Sequence, residues 1–276
     1  MAKPTSTEAT KAKTKNLPMN WDEELAKQAQ VAAGMEESVA TGQFFGLKGG
    51  LLTWNDSPIP GNQMAVIIID HILENVYYDG RFDPDTPQAP TCFAFGRDDK
   101  TMAPHKVVME AGANKDSECS ECELNQWGSA DTGRGKACRN VRRLAMIPAG
   151  TLDGSKFKMF DDAAHFENAS IGYMKLPVTS VKGYAGFVKQ VAAALKRPPH
   201  GIITKVSVVS DPSTQFKVIF EPLMEVPNEL MRTIMKRNEE VRAVIEFPYT
   251  LDDNTEQNGK GRGGAKKPPA KTKRKY

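Results

Sequence analysis

Residues 64–78 read MAVIIIDHILENVYY and form a long run of apolar and β-branched residues. Such residues favour extended strands, where branched side chains pack well on a pleated surface. The apolar residues of this run are too continuous for a strand that has one face exposed to solvent. The run therefore predicts either a strand buried on both faces or one that bends through a bulge, and we expect a β-sheet to form the centre of the protein.

Shorter segments of the same character lie on both sides of this run. Gly49-Gly50 interrupts a β-rich stretch, and Asp211-Pro212-Ser213 separates two runs in the manner of a hairpin turn. Strands are predicted at 44–54, 91–95, 141–147, 173–178, 202–209 and 215–221. Helical spacing and capping signals predict helices at 20–33, 181–195 and 228–245.

These strands do not alternate with helices, which argues against a doubly wound parallel sheet. The order instead predicts a mainly β (α+β) fold, an OB-like Greek-key barrel with flanking helices and a zinc-binding loop inserted at 97–139. We expect this domain to span 18–248. Residues 1–17 are predicted to be a disordered basic arm, and 249–276 a disordered tail that is basic at its end.

The net charge of +3 is distributed unevenly. Residues 1–16 and 259–276 together carry +11, which leaves −8 on residues 17–258. This charge distribution excludes a protein whose residues 17–258 are uniformly basic and bind a phosphate backbone over their whole surface. Any nucleic-acid contact therefore needs a local basic patch together with the basic terminal segments. The sequence has no run of about 18 apolar residues, so no membrane span is expected.

All four cysteines of the chain, Cys92, Cys119, Cys122 and Cys138, belong to this loop or lie just before it. A C-x2-C pair with two further cysteines predicts a closed tetrahedral Zn²⁺ site of structural type. An iron–sulfur cluster, a redox pair and unligated thiols are the alternatives, and His105 could replace Cys92 as a ligand. Disulfides are disfavoured because no apolar N-terminal signal segment points to secretion.

A dense group of basic residues surrounds the last cysteine and includes no acid. Gly133 and Gly135 would let its backbone approach a phosphate chain closely. The alternative is a solvated face whose basic residues pair with nearby carboxylates such as Asp98, Asp99 or Glu118. The predicted phosphate contacts are Arg134, Lys136, Arg139, Arg142 and Arg143.

Aromatic residues of the β-rich half are candidates for base stacking: Trp54, Tyr77, Tyr78 and Trp127. Adjacent strand residues point to opposite faces, so one ring of the Tyr77-Tyr78 pair is available for stacking on a base. Core packing is the alternative for each ring taken alone. Trp127 has small or polar neighbours, so it is expected to be exposed or to pack over the metal loop.

No catalytic pattern stands out, and we expect a protein without enzymatic activity. Asp83 and Asp85 lie in a Pro-rich turn, where carboxylates usually bond their own backbone. Asp70-His71 resembles half of a hydrolytic dyad but has no recognisable nucleophile. Neither a phosphate-binding GxxxxGK[ST] loop nor a dinucleotide fingerprint is present.

Three motifs resemble those of a family of phage-encoded single-stranded DNA-binding proteins. They are PTCFAFG at 90–96, CSECELNQWGS at 119–129 and GRGKACRNVRRL at 133–144, followed by KLPVTSVKGY at 175–184. The resemblance covers about residues 42–222. It implies an OB-type barrel that coats single strands during replication or recombination in the cytoplasm of the host cell, with zinc held by the four cysteines.

The C-terminus departs from that pattern. Single-strand binders of phages and bacteria usually end in an acidic tail, whereas this chain ends in KKPPAKTKRKY. A basic tail adds affinity for any phosphate backbone, so duplex and RNA binding stay open. The sequence favours sequence-independent binding of single-stranded DNA. The main alternative is a zinc-stabilised adaptor that binds a polymerase or another replication or transcription protein, and a metal-dependent nuclease ranks third.

Overall fold

The computed structural model describes residues 43–80, 89–112 and 118–249, together with Leu25 and Gln28. The chain divides into two units, 1–42 and 43–276. In the first unit the two described positions are helical, within the predicted helix at 20–33. The rest of that helix, the predicted arm at 1–17 and the predicted tail beyond Tyr249 lie outside the described residues.

The second unit is mainly β with a few helices, as predicted. Its strands are β1 (Phe44–Lys48), β2 (Leu51–Trp54), β3 (Ser57–Pro58), β4 (Gln63–Tyr77), β5 (Cys92–Gly96), β6 (Arg139–Asp153), β7 (Lys156–Met159), β8 (Gly172–Leu176), β9 (Ile202–Asp211) and β10 (Gln215–Glu225). Its helices are α1 (Lys106–Glu110), α2 (Ala163–Asn168), α3 (Val178–Leu195) and α4 (Asn228–Val244). Among the described residues, no helix combines the length and the apolar character needed to cross a bilayer.

One mixed sheet contains all of these strands. Its order is β10-β9-β4-β6-β8-β1-β2-β3, while β5 adds to β4 and β7 adds to β6. The β1–β8 pair is parallel and the other pairs are antiparallel. Within the described part of the chain this hydrogen-bonded path is open, so it does not by itself establish the predicted OB-like barrel.

Strand β4 is the centre of the sheet. Strand β6 pairs along one edge, while β9 and then β5 pair along the other. Val66 and Ile68 pack on one face and Ile67 and Ile69 on the other, and the register shifts beside Ile69. The strand is therefore both buried on two faces and bent by a bulge, so the two alternatives predicted for residues 64–78 occur together.

Each face of the sheet is covered by a long helix. Helix α3 places Tyr184, Phe187 and Val191 over the face that contains Val66 and Ile68. Helix α4 places Leu230, Ile234 and Val241 over the opposite face. Both helices have the apolar spacing of about 3.6 residues that the sequence predicted, because only one stripe of each contacts the sheet.

The chain after α4 runs back across the sheet as a short strap, residues 245–249. Arg143 Nη1 donates hydrogen bonds to the carbonyl oxygens of Ile245 and Phe247, at 3.0 and 2.7 Å. The ring of Tyr249 packs against Phe93 and Phe95 of β5. Residues of β5 and β6 thus hold the strap, and it ends beside β5.

Candidate metal centre and nucleic-acid interface

The sheet brings two of the four cysteines to the same end of β4. Cys92 begins β5 and pairs with Tyr77. Cys138 directly precedes Arg139, the first residue of β6, which pairs with Val76. The loop between β5 and β6 contains Cys119 and Cys122; it leaves β5 at Gly96, opposite Leu73, and returns to this end of β4 at Cys138.

Hydrogen bonds fix the backbone at the cysteines of this loop, beside a small apolar cluster of Ala94, Met102 and Cys119. The Cys119 amide donates to Met102 O and the Cys138 amide donates to Leu124 O, both at 2.8 Å. Asn125 Nδ2 donates to the carbonyl of Cys119 at 2.7 Å. The backbone at these cysteines is therefore fixed by hydrogen bonds within the loop and to the segment after β5.

The cysteines interact electrostatically. Burial, and then the charges of Cys119, Cys92 and Cys122, raise the pKa of Cys138 to about 12. Thiolates gathered at one site would need a cation to compensate their charge, and binding of a metal would release the thiol protons. No three His, Cys, Asp or Glu side chains in the described residues form a group that could hold a metal ion, so the zinc site remains a prediction.

His105, the alternative ligand, has a local role. It precedes α1, where its Nδ1 accepts a hydrogen bond from Val107 N at 3.3 Å. Its ring stacks on Phe93 at 5.1 Å. These contacts account for the residue as the N-cap of α1.

A groove of about 480 Å³ opens on the sheet next to this end of β4. Strand β8 pairs with β6 only from Arg142 to Met146, so it leaves residues 139–141 uncovered on that edge. The groove occupies the space beyond the end of β8, and the start of α3 forms part of its wall. Its lining includes Leu47, Tyr78, Arg139, Lys175, Val178 and Phe216.

Two cations contact the tyrosine of the groove. The Arg139 guanidinium lies 5.8 Å from the ring centre of Tyr78, and Lys175 Nζ lies 5.5 Å from it. Lys175 Nζ also donates to the hydroxyls of Tyr78 and Tyr249, at 3.2 and 2.9 Å. No carboxylate is among the described residues that line the groove, so its charge favours an anion.

The positive charge of Lys175 is not needed to neutralise the buried carboxylate of Glu74. Glu74 is fully buried and already pairs with Arg143, whose Nε lies 2.9 Å from Glu74 Oε2. Lys175 Nζ lies further away, 3.5 Å from Glu74 Oε1. Burial lowers the pKa of Lys175, but the Glu74 carboxylate and the hydroxyl of Tyr249 outweigh it and raise the pKa above its usual value. Lys175 is therefore charged at neutral pH.

The predicted basic patch is divided among different environments. Arg139 lines the groove, whereas Lys136 and Arg142 line a separate polar pocket. Arg134 is exposed in the loop. Arg143 is only 4% exposed and binds Glu74 and the strap, so the prediction that it contacts phosphate is wrong. Successive residues of a strand point to opposite faces, which is why one patch in sequence does not form one surface.

The predicted stacking residues also separate. Tyr78 lies in the groove, and Tyr77 is half-buried outside it. The ring of Trp54 lies 4.3 Å from that of Phe45, and a Cβ on Gly172 would meet both rings, so Trp54 is a packing residue. Trp127 is 81% exposed, the first of the two alternatives that its neighbours predicted.

Lys175 and Phe216 were not predicted as site residues. Phe216 lies in the hairpin after Asp211 and looks like an ordinary strand residue in the sequence. Lys175 begins the KLPVTSVKGY motif, but its position beside Tyr78 depends on the register of β8 with β6. No local signal marks either residue as part of a groove.

Half-buried histidines such as His71 predict a pH dependence of stability. Burial is the main cause that lowers the pKa of His71 below 6.5, with Arg97, Arg142 and His200 adding to it and Asp70 opposing it. The unfolded chain then binds a proton that the folded chain does not, so stability is complete above 6.5 and falls as the pH drops through the lower folded value.

We expect the free energy of unfolding in urea to decrease between pH 7.5 and 5.5, by at most about 1.4 kcal/mol per pH unit for each such histidine. A His71→Asn variant should have a flatter profile than the wild type. Any contribution from metal loss is common to both proteins and cancels in the difference. Parallel profiles would contradict the assignment.

Comparison of the chain with protein-family models, curated proteins and solved structures finds no match. The function is therefore inferred from the groove, the cysteines and the charge distribution.

Proposed function

We propose that this protein binds single-stranded DNA without sequence preference and without enzymatic activity. The observation that carries the proposal is the open groove in which Tyr78 and Phe216 lie beside Arg139 and Lys175. Aromatic rings stack on any base, and cations next to them contact the phosphates on either side. This combination suits an unpaired strand, whose bases are free to stack.

An OB-like barrel is part of the proposal, because the open sheet curls toward closure. Asn62 Nδ2 donates to Gly50 O and to Val208 O, both at 2.9 Å. Leu52 N donates to Asn62 Oδ1 at 2.5 Å. One side chain thus bridges the β1–β2 hairpin and β9, which lie far apart in the strand order. This side-chain bridge supports a barrel closed at that seam.

Zinc bound by Cys92, Cys119, Cys122 and Cys138 would fix the loop that leads into Arg139. The residues suit the ion, because thiolates are preferred zinc ligands, and the charges of the other three cysteines oppose ionisation of Cys138 without a cation. Bound metal would supply charge compensation and a rigid turn. The role proposed for it is structural, since four protein ligands leave no position for substrate.

The biological setting rests on the motif resemblance. We place the protein in phage DNA replication or recombination, in the cytoplasm of the host cell, with replication or recombination proteins as partners. The strap ends at Tyr249, which contacts Lys175 of the groove. The basic C-terminal tail is therefore attached next to the proposed strand site, where its lysines would add attraction for phosphate.

Trp127 supports the second candidate function, a zinc-stabilised adaptor for a polymerase or another replication or transcription protein. Its side chain is 81% exposed on the cysteine loop. Tryptophan is enriched among the residues that dominate protein–protein binding energy. An adaptor would bind oligo-dT weakly, and a Trp127→Ala variant would lose the protein partner while any DNA affinity stayed unchanged.

The groove is tested by titrating fluorescent oligo-dT with Tyr78→Ala and Arg139→Ala variants. Loss of the ring should weaken binding by about 1–3 kcal/mol, because one base loses its stacking partner. Loss of Arg139 should reduce the slope of log K against log salt by about 0.7, the value for one phosphate contact on a single strand.

Arg232→Ala is the matched control, because Arg232 is exposed on α4 and does not line the groove. It should leave both affinity and salt slope unchanged, and thermal melting should show that all three variants are folded. Equal affinity of wild type and Tyr78→Ala would refute the groove as the strand site. Cleavage of the oligonucleotide on addition of Mg²⁺ or Mn²⁺ would favour a nuclease instead.

A further inference from the structure

A second pocket lies on the other side of the β4–β6 pair. Arg139 and Val141 line the groove, whereas Asn140 and Arg142, the alternate residues of β6, line this pocket. Its volume is about 240 Å³, which is small compared with the sites of drug-sized ligands. The pocket is therefore distinct from the groove, and a ligand in it does not depend on strand binding in the groove.

The pocket carries an excess of positive charge. Lys100, Lys136 and Arg142 line it, together with a single carboxylate, Asp99. None of these three cations forms a salt bridge within the described residues. Other buried or half-buried arginines form salt bridges, for example Arg143 with Glu74. The unpaired cations leave room for an anion.

Three asparagines in the pocket form a relay whose orientation is fixed by a lysine. Lys136 Nζ lies 3.2 Å from Asn125 Oδ1, and an ammonium group can only donate, so that atom must be an oxygen. Asn140 then directs its Nδ2 to Asn125 Oδ1 at 3.0 Å and to Asn75 Oδ1 at 2.6 Å. Each amide orientation follows from the one before it.

This relay leaves one acceptor and one donor unused. Asn140 Oδ1 and Asn75 Nδ2 have no hydrogen-bond partner among the described residues. An unused acceptor and an unused donor in one pocket suit a nucleobase, whose edge offers both a donor and an acceptor, as N6 and N7 of adenine do. Leu73 and Met102 supply apolar surface in the same pocket, against which a base could pack.

We propose that this pocket binds one nucleotide, with the phosphate at Lys100, Lys136 and Arg142 and the base edge at Asn75 and Asn140. The ligand class is a nucleoside phosphate monoester, either a free nucleotide or the phosphorylated end of a strand. Both present the same chemistry to these side chains, and the volume admits no more than a single unit.

The test is calorimetric titration of the full-length, metal-loaded protein with dAMP, deoxyadenosine and inorganic phosphate. dAMP should bind at least about tenfold more tightly than either fragment, because only dAMP uses the cations and the amides together. Lys100→Ala should weaken dAMP binding about tenfold through loss of a charged contact. Lys106→Ala, an exposed lysine of α1 outside the pocket, should leave it unchanged.

A further variant, Asn140→Leu, separates the base contact from the phosphate contact. It keeps the approximate size of the side chain and adds no charge, and it should weaken dAMP more than inorganic phosphate, because it removes the proposed acceptor Oδ1 and the amide that donates to Asn75. Equal affinity for dAMP and inorganic phosphate in the wild type would overturn the base contact, and absence of dAMP binding would overturn the site. Loss of dAMP binding in Tyr78→Ala would place the nucleotide in the groove and also overturn the proposal.

Two oligonucleotides identify the source of the nucleotide. If a 5′-phosphorylated oligo-dA displaces dAMP and the unphosphorylated form does not, the site takes a strand end. If neither oligonucleotide displaces dAMP, the site takes a free nucleotide. Either of these two outcomes supports the pocket as a nucleotide site. Binding of unphosphorylated oligo-dT reports on the groove alone, so failure of the proposed strand binding is distinguishable from failure of this site.

Discussion

Replacement of Arg143 by methionine is expected to lower the free energy of unfolding by about 3–5 kcal/mol. Glu74 has no exposed surface and Arg143 only 4%, and their side chains meet at 2.9 Å. Removal of one partner leaves a buried carboxylate with less compensation, which is far more costly than the net value of the pair. Lys175 at 3.5 Å is too distant and too exposed to replace the guanidinium fully.

The variant should also release the strap. Arg143 binds the carbonyl oxygens of Ile245 and Phe247, and its guanidinium lies 4.0 Å from the ring centre of Phe247. Methionine cannot donate to either carbonyl. Hydrogen exchange of the amides at 245–249 should therefore increase more than the global loss of stability explains.

Chemical unfolding of three variants measures this effect. Arg139→Met is the matched control: it removes an exposed arginine from the same strand, and its effect should stay within about 0.5 kcal/mol. The double variant Glu74→Met, Arg143→Met removes both charges and should be more stable than Arg143→Met alone. If Arg143→Met and Arg139→Met were equally stable, the buried pair would not have the importance we assign to it.

Replacement of Cys119 by serine is expected to release zinc from the protein and to unfold the cysteine loop. Zinc binding supplies about 10–16 kcal/mol in zinc-finger peptides near neutral pH, and the loss of one ligand removes a large share of such a contribution. Without metal, the segment around Cys119 keeps only hydrogen bonds such as that from Cys119 N to Met102 O and a small apolar cluster with Ala94 and Met102. Strand binding should weaken as well, since the loop leads directly into Arg139.

Metal content by mass spectrometry, together with thermal melting, gives the measurement. The wild type should contain one zinc ion per chain, and a chelator should reproduce the effect of Cys119→Ser. His105→Ala should retain the metal, because His105 serves as the cap of α1. Full metal content and unchanged melting of Cys119→Ser would reject the four-cysteine set, and visible absorption with bound iron would indicate an iron–sulfur cluster.

Both substitutions should disturb residues of the groove, because the cysteine loop and the buried Glu74 cluster each position part of its lining. The loop positions Arg139, and the buried Glu74 cluster positions Lys175 and Tyr249. Tyr249 donates its hydroxyl hydrogen to Glu74 Oε1 and accepts one from Lys175. Burial and the Glu74 charge raise the pKa of Tyr249 to about 12, so it remains a hydrogen-bond donor at any physiological pH.

The amino-acid sequence by itself determined those features that depend on neighbouring residues. The run at 64–78 indicated a strand that is buried on both faces or bent by a bulge, because apolar character and β-branching are local properties. Gly49-Gly50 and Asp211-Pro212-Ser213 marked the hairpins, which need residues that tolerate tight turns. The small and polar neighbours of Trp127 likewise predicted its exposure.

Only the tertiary structure decided which charged residues are available to a ligand. Arg142 and Arg143 are adjacent residues of the same type, yet one lines a pocket and the other is buried against Glu74, 69 residues earlier in the chain. The register of β6 with β4 determines which of the two arginines is buried, since a shift of one residue moves every side chain of a strand to the opposite face. The groove depends in the same way on where β8 stops pairing, because its residues come from segments that meet only after the sheet has formed.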